Sequence, residues 1–216
     1  MTKLIAIRAG GTRRAKKTPS AVGKPANVRA AILDAARALY FEHGTDGVSA
    51  RKIAAAVGVS ATTIYIYYRN IDDLLHHLRM EGFALLIQYL QDATGDSALE
   101  RILGMGRAYF RFGTEHSNYY EMMFFHRFRE LPKAEIIQRE VYALTLLRDV
   151  VKSGIEQGEI RRDIDLMVLT NGLWAEIHGI TSLAVSGRLW QTVSGQHEQV
   201  LDAIFEGMTR WLRPQG

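Results

Sequence analysis

Five hydroxyl-bearing side chains, Ser60, Thr62, Thr63, Tyr65 and Tyr67, fall within eight consecutive residues, and Arg51, Lys52 and Arg69 flank them. Hydroxyls gathered at the start of a helix can donate to phosphate oxygens, where the helix dipole already favours an anion. The chemistry this stretch offers is therefore recognition of a polyanion. Catalytic chemistry finds no comparable set. His76 and His77 are adjacent and diverge on a helix, His116 and His126 lack a third ligand, and Asp163 and Asp165 suit a helix start. No glycine-rich phosphate loop follows a strand, and the absence of cysteine removes thiolate metal sites, disulfides and a cysteine nucleophile. Neither an enzymatic activity nor a metal or cofactor is expected.

Two short helices are needed to present those hydroxyls. Ser49 is suited to N-cap the first, in which Ile53, Ala54 and Val57 recur at helical spacing, and Gly58 stands where a helix end needs a left-handed residue. Ser60 opens the second, whose surface is too rich in hydroxyls and aromatic rings for an ordinary core helix. The pattern is a helix-turn-helix. Helix-glycine-helix corners also occur in all-helical proteins that never meet nucleic acid, so the flanking sequence has to decide.

The charge distribution favours the nucleic-acid reading. Residues 1–80 carry thirteen Lys and Arg against five Asp and Glu, whereas residues 81–216 carry fourteen against eighteen. The cationic excess thus lies with the helix-turn-helix. No acidic residue precedes Asp34, and residues 1–24 read as a basic, disordered arm, either a solvated tail or a segment that contacts phosphates. The opening MTKLIAIRAGG is too short for a signal sequence, and no run of about 18 apolar residues occurs, so neither export nor a membrane span is expected. The composition is compatible with a cytoplasmic setting.

Only helical periodicity appears along the rest of the 216 residues, about nine helices in all. Val28, Ile32, Ala35 and Leu39 form the stripe of a support helix ending at Gly44. Asn70, with Asp72 and Asp73 behind it, caps a long helix. The expected organisation is the arm, a helix-turn-helix domain over residues 25–71, and a helical domain over residues 72–216 whose first part, 72–92, links the two. The fold class is all-α.

ILDAARALYFEHG (Ile32 to Gly44), VSARKIAAAVGVS (Val48 to Ser60) and TIYIYYRNIDDLL (Thr63 to Leu75) closely resemble the DNA-binding region of the tetracycline-repressor (TetR) family. LWAEIHG, from Leu173 to Gly179, looks like the Trp-His-Gly signature of one subclass of the family's regulatory domains. AYFRFGTEHSNYYEMMF, from Ala108 to Phe124, is similar to that subclass too. The resemblance implies a homodimer that places one recognition helix per subunit in the major groove of double-stranded DNA, usually at a palindromic operator. It also implies release when a small molecule binds the C-terminal domain.

Carried over by position, the resemblance makes Thr63, Tyr65 and Tyr67 contacts to phosphate or base edges and Arg51 a base or phosphate contact. Ala61, Thr62 and Ile66 become the groove-facing positions that vary with operator sequence, and their methyl groups suit thymine. Ser49 and Ser60 complete the interface. The family most often has a phosphate-gripping lysine where this chain has Ile71, and Lys52, Arg69 or the arm is expected to compensate.

For the C-terminal domain, Tyr109, Phe112, Tyr119, Tyr120, Met123, Phe124, Tyr142, Trp174 and His178 are material for a largely apolar effector pocket, although core packing would use the same residues. His178 follows Trp174 on the same helical face, where a structural histidine is expected. Gly172, Ala175 and Gly179 give one helix a small-residue flank. With Leu201, Ile204, Met208 and Trp211 of the last helix it resembles the family's dimer interface, and a contact within one chain would look alike. The expectation is a ligand-released transcriptional repressor. The rival reading is a helical ligand-binding or interaction module whose DNA binding is weak or lost.

Overall fold

The computed structural model describes residues 25–130, 133–189 and 197–214, and among these every regular element is a helix. The basic arm expected over residues 1–24 lies outside the described residues.

α1 (Pro25–Gly47) is interrupted at Gly44, whose φ of 63° suits a residue without a β-carbon. Its buried stripe runs through Val28, Ile32, Ala36 and Tyr40, while Ala35 and Leu39 flank that stripe, half-buried. α2 (Ala50–Val57) starts at Ser49, whose Oγ accepts the Lys52 N–H at 3.3 Å, and stops at Gly58, with φ 80°. α3 (Ala61–Tyr67) starts at Ser60, whose Oγ accepts the Thr63 N–H at 3.2 Å. Each cap satisfies a backbone donor that the short helix leaves unpaired. Ile53 and Ala54 of α2 and Ile64 of α3 sink into the stripe of α1, and Tyr68 closes the core with its hydroxyl on the Arg29 carbonyl at 3.2 Å.

α4 (Ile71–Gln91) belongs to two cores. Leu74, Leu75 and Leu78 complete the N-terminal one, and Phe83, Leu86, Ile87 and Leu90 enter a larger one. α5 (Ala98–Glu115), α7 (Ala134–Glu156), α8 (Leu166–Val185) and α9 (His197–Leu212) build the remainder of that larger core. α5 and α8 cross closely at Gly113, where a β-carbon would collide with the Thr181 methyl. The short α6 (Ser117–Phe124) lies between the cores, giving Met122 to the first and Tyr120 and Met123 to the second.

Polar contacts reinforce that joint. Arg37 of α1 donates from Nε and Nη2 to the two carboxylate oxygens of Glu81 on α4, both at 2.9 Å. Tyr119 of α6 donates to the same carboxylate at 3.0 Å, and its ring meets Phe41 edge-on. A bidentate pair fixes direction as well as distance, so this contact sets how α1 lies on α4.

Candidate nucleic-acid interface and ligand cavity

α3 divides its side chains sharply. Ile64 is fully buried, whereas Tyr65 is 52% and Ile66 73% exposed, and Ala61 and Thr62 are exposed as well. Among the described residues nothing covers the Ile66 side chain on this seven-residue helix. Tyr67 is half-buried against the N-terminal core, so of the two tyrosines only Tyr65 projects fully. Ser60 and Thr63 hydrogen-bond to each other at 2.9 Å as well as forming the cap, which places both hydroxyls at the start of α3. Arg51 and Lys52 are exposed on α2, with Lys52 Nζ donating to the Asp46 carbonyl at 3.1 Å. Ser49 is half-buried and serves as the cap.

Arg69 stands just before α4 and is held by acids. Its backbone N–H donates to Asp73 at 3.0 Å, and its guanidinium lies 3.8 Å from Asp73 and 3.5 Å from Glu130. Glu130 belongs to the connection after α6, which docks on the start of α4 through several contacts. Asp72 accepts the backbone N–H groups of Arg129 and Glu130 at 2.7 and 3.0 Å, Asn70 donates to Glu130 Oε1 at 2.8 Å, and His76 Nε2 lies 3.0 Å from the Glu130 carbonyl. The Phe128 ring stacks on the buried His76 at 4.0 Å, and Lys133 reaches Asp73 at 2.9 Å. Burial pushes the Asp73 carboxyl up, but the Lys133 hydrogen bond and the Arg69 N–H outweigh it, and the group ionises below its ordinary value. This docking was not legible in the sequence, because its residues are about 60 positions apart and make no periodic pattern.

Within the larger core lies a cavity of about 300 Å³ lined from six helices, α4 to α9. Of the sequence-derived pocket candidates, Tyr109, Phe124 and Trp174 line it. The other walls come from residues outside that set of candidates, among them Phe83, Leu86, Met105, Leu147 and Ile177. Among the described residues, Glu140 is the single charged one in the lining. His178 sits behind the wall, with Nδ1 2.9 Å from the hydroxyls of both Tyr109 and Tyr120. Burial lowers the His178 pKa, which favours the neutral ring, and pushes the Tyr109 hydroxyl up to about 12. The remaining candidates lie elsewhere. Phe112 and Met123 are core, Tyr119 binds Glu81, and Tyr142 is exposed on α7 near Gln91.

The proposed contact helices α8 and α9 use several of their expected interface residues internally. Leu201 is buried in the chain's own core, Met208 lines the cavity, and Gly172 accommodates Trp211, whose Cη2 would stand 2.8 Å from an added β-carbon. Ile204 and Trp211 are half-buried against the same core. Ala175 is exposed, Gly179 has open space before it, and Val168 and Leu183 of α8 are 58% and 45% exposed. Among the described residues no group of three or more His, Asp or Glu could hold a metal ion, and no helix is long and apolar enough to cross a membrane.

The same two-part arrangement recurs in known proteins. The family described as bacterial regulatory proteins, tetR family, matches residues 32–78, and the tetracyclin repressor-like C-terminal domain matches residues 102–209. The transcriptional repressor AcnR of Corynebacterium glutamicum is 25% identical over 194 residues, spanning 87% of this chain and 95% of AcnR. A structure from Rhodococcus sp. RHA1, described as a protein of unknown function, superposes with a TM-score of 0.76 at 24% identity, covering 91% of this chain and 99% of that one. The regulator FadR of Bacillus subtilis, solved in complex with stearoyl-CoA, superposes with a TM-score of 0.65 at 21% identity and covers 85% and 99% of the respective chains.

Proposed function

The chain belongs to the TetR family of transcriptional regulators, and from that premise we propose that it is a homodimeric repressor released from a palindromic operator by a small molecule bound in the cavity. The observation that carries the DNA-reading part is the exposed face of α3. Ala61, Thr62, Tyr65 and Ile66 leave the protein surface together, supported from behind by Ile64. Methyl groups and a phenol presented this way suit thymine methyls and base edges, while Arg51, Thr63 and Tyr67 suit the backbone on either side. The Trp-His-Gly subclass is supported by Trp174 at the cavity wall and His178 in the hydrogen-bonded layer beneath it.

The effector part rests on the cavity. A volume of about 300 Å³ lies at the lower end of the usual range for ligand sites, and apolar walls favour an apolar body. That FadR was solved in complex with stearoyl-CoA supports a small-molecule ligand for this chain as well. Dimerisation is assigned to the open face of α8, from Val168 through Ala175 and Gly179 to Leu183.

A second reading, a ligand-binding module with weak DNA affinity, is favoured by Ile71 and by Arg69 lying among acids. Selection of bound fragments from genomic DNA, followed by titration at several salt concentrations, separates the two. A repressor enriches a palindrome and loses affinity steeply with salt. Uniform weak binding with no enriched sequence supports the module instead.

A further inference from the structure

The polar corner of the cavity is Glu140, paired with Arg79, which stands behind the lining. Glu140 of α7 lines the cavity, and its Oε2 accepts from Arg79 Nη2 of α4 at 2.7 Å. The Arg79 side chain is only 13% exposed and its guanidinium lies 5.5 Å from the ring centroids of both Phe83 and Phe128. Its Nε is buried with no acceptor among the described groups. The Glu140 side chain, by contrast, is 42% exposed. Arginine is therefore fixed by two rings and short of an acceptor, while its carboxylate partner can turn to water. An uncompensated buried cation is costly, so Arg79 needs a carboxylate or similar anion, and Glu140 is the more replaceable of the two.

We propose that the cavity takes a medium-length aliphatic carboxylate, whose headgroup displaces Glu140 and pairs with Arg79 while its chain fills the apolar space. At roughly 30 Å³ for each water-sized group, a cavity of about 300 Å³ holds about ten heavy atoms. A nine-carbon tail fits there when its carboxylate occupies the place Glu140 leaves. An amine would have to coexist with Arg79, and an alcohol would leave the ion pair unchanged. The exchange touches the DNA-reading part directly, because Arg79 is on α4 and Phe128 belongs to the connection docked on the start of that helix. This assignment rests on the cavity being the effector site.

The test is calorimetric titration of the full chain with decanoate, decanol and decylamine, each also tested for its effect on DNA affinity. Decanoate is expected to bind about tenfold tighter than the other two, the scale of a charge-assisted hydrogen bond. Arg79→Met is expected to remove that preference while keeping decanol binding, and Glu140→Gln to strengthen decanoate. Equal binding of decanol, a preference for decylamine, or unchanged decanoate binding in both variants overturns the carboxylate assignment. Binding and DNA release by decanol alone would do so while leaving the effector site standing. If none of the three binds, the carboxylate assignment and the effector site fall together.

Discussion

Neighbouring residues on α3 have opposite roles. Ile64 has no exposed surface, and Tyr65 beside it is more than half exposed. Arg51→Ala and Tyr65→Ala are accordingly expected to cost about 1–3 kcal/mol in operator binding while leaving the melting temperature unchanged. Fluorescence anisotropy with paired melting curves checks both, and a parallel drop in stability would mean the residue acts in folding instead. Burial has a second consequence at the histidines. His76, His126 and His178 all have pKa values held below the ordinary 6.5, with desolvation the largest cause in each case. The unfolded chain then binds protons that the native state refuses, so stability is full above about pH 6.5 and falls as pH drops through the window below it. Melting temperatures measured between pH 8 and pH 5 are expected to decline towards acid, and His178→Gln is expected to flatten part of that slope.

At the scale of elements, the connection between α6 and α7 matters as much as either helix. It leaves the cavity wall at Phe124, docks on Asp72, Asp73 and His76 at the start of α4, and returns to the wall at Glu140. Cavity and DNA-reading part thus share one continuous piece of chain. Glu130 within it lies 3.5 Å from the Arg69 guanidinium, so a DNA phosphate meeting Arg69 would have to compete with it. Glu130→Gln keeps an acceptor for Asn70 but removes the charge, and is expected to tighten DNA binding and steepen its salt dependence by about one ion. Titrating the variant and the wild type from low to high salt measures the difference. Identical slopes would show that Arg69 is not the group being withheld.

For the whole molecule, the proposed dimer needs a face for the second copy. Leu201, Met208 and Gly172 are used inside the chain, whereas Val168 and Leu183 of α8 stand exposed, and the proposal places the contact there. Val168→Glu with Leu183→Glu is expected to yield a folded monomer in sedimentation that binds an operator half-site weakly and a full palindrome no better. A dimer surviving both changes would move the interface to another face.

The sequence by itself determined the helices and their caps. Ser49, Gly58, Ser60 and Asn70 act within a few residues of themselves, and local hydrogen bonds are written in local sequence. Helical periodicity marked Val28 and Ile32 as turned inward, but it put Ala35 and Leu39 on the stripe of α1 where the structure buries Ala36 and Tyr40. Only the tertiary structure decided that Tyr109, Phe124 and Trp174 share a cavity with Glu140, that Tyr142 faces outward, and that Met208 turns into its own chain. Those outcomes depend on how six helices close around one volume and on ion pairs between residues about 60 positions apart, such as Arg79 with Glu140. A contact of that kind is fixed by the packing of whole helices, and no spacing along the chain encodes it.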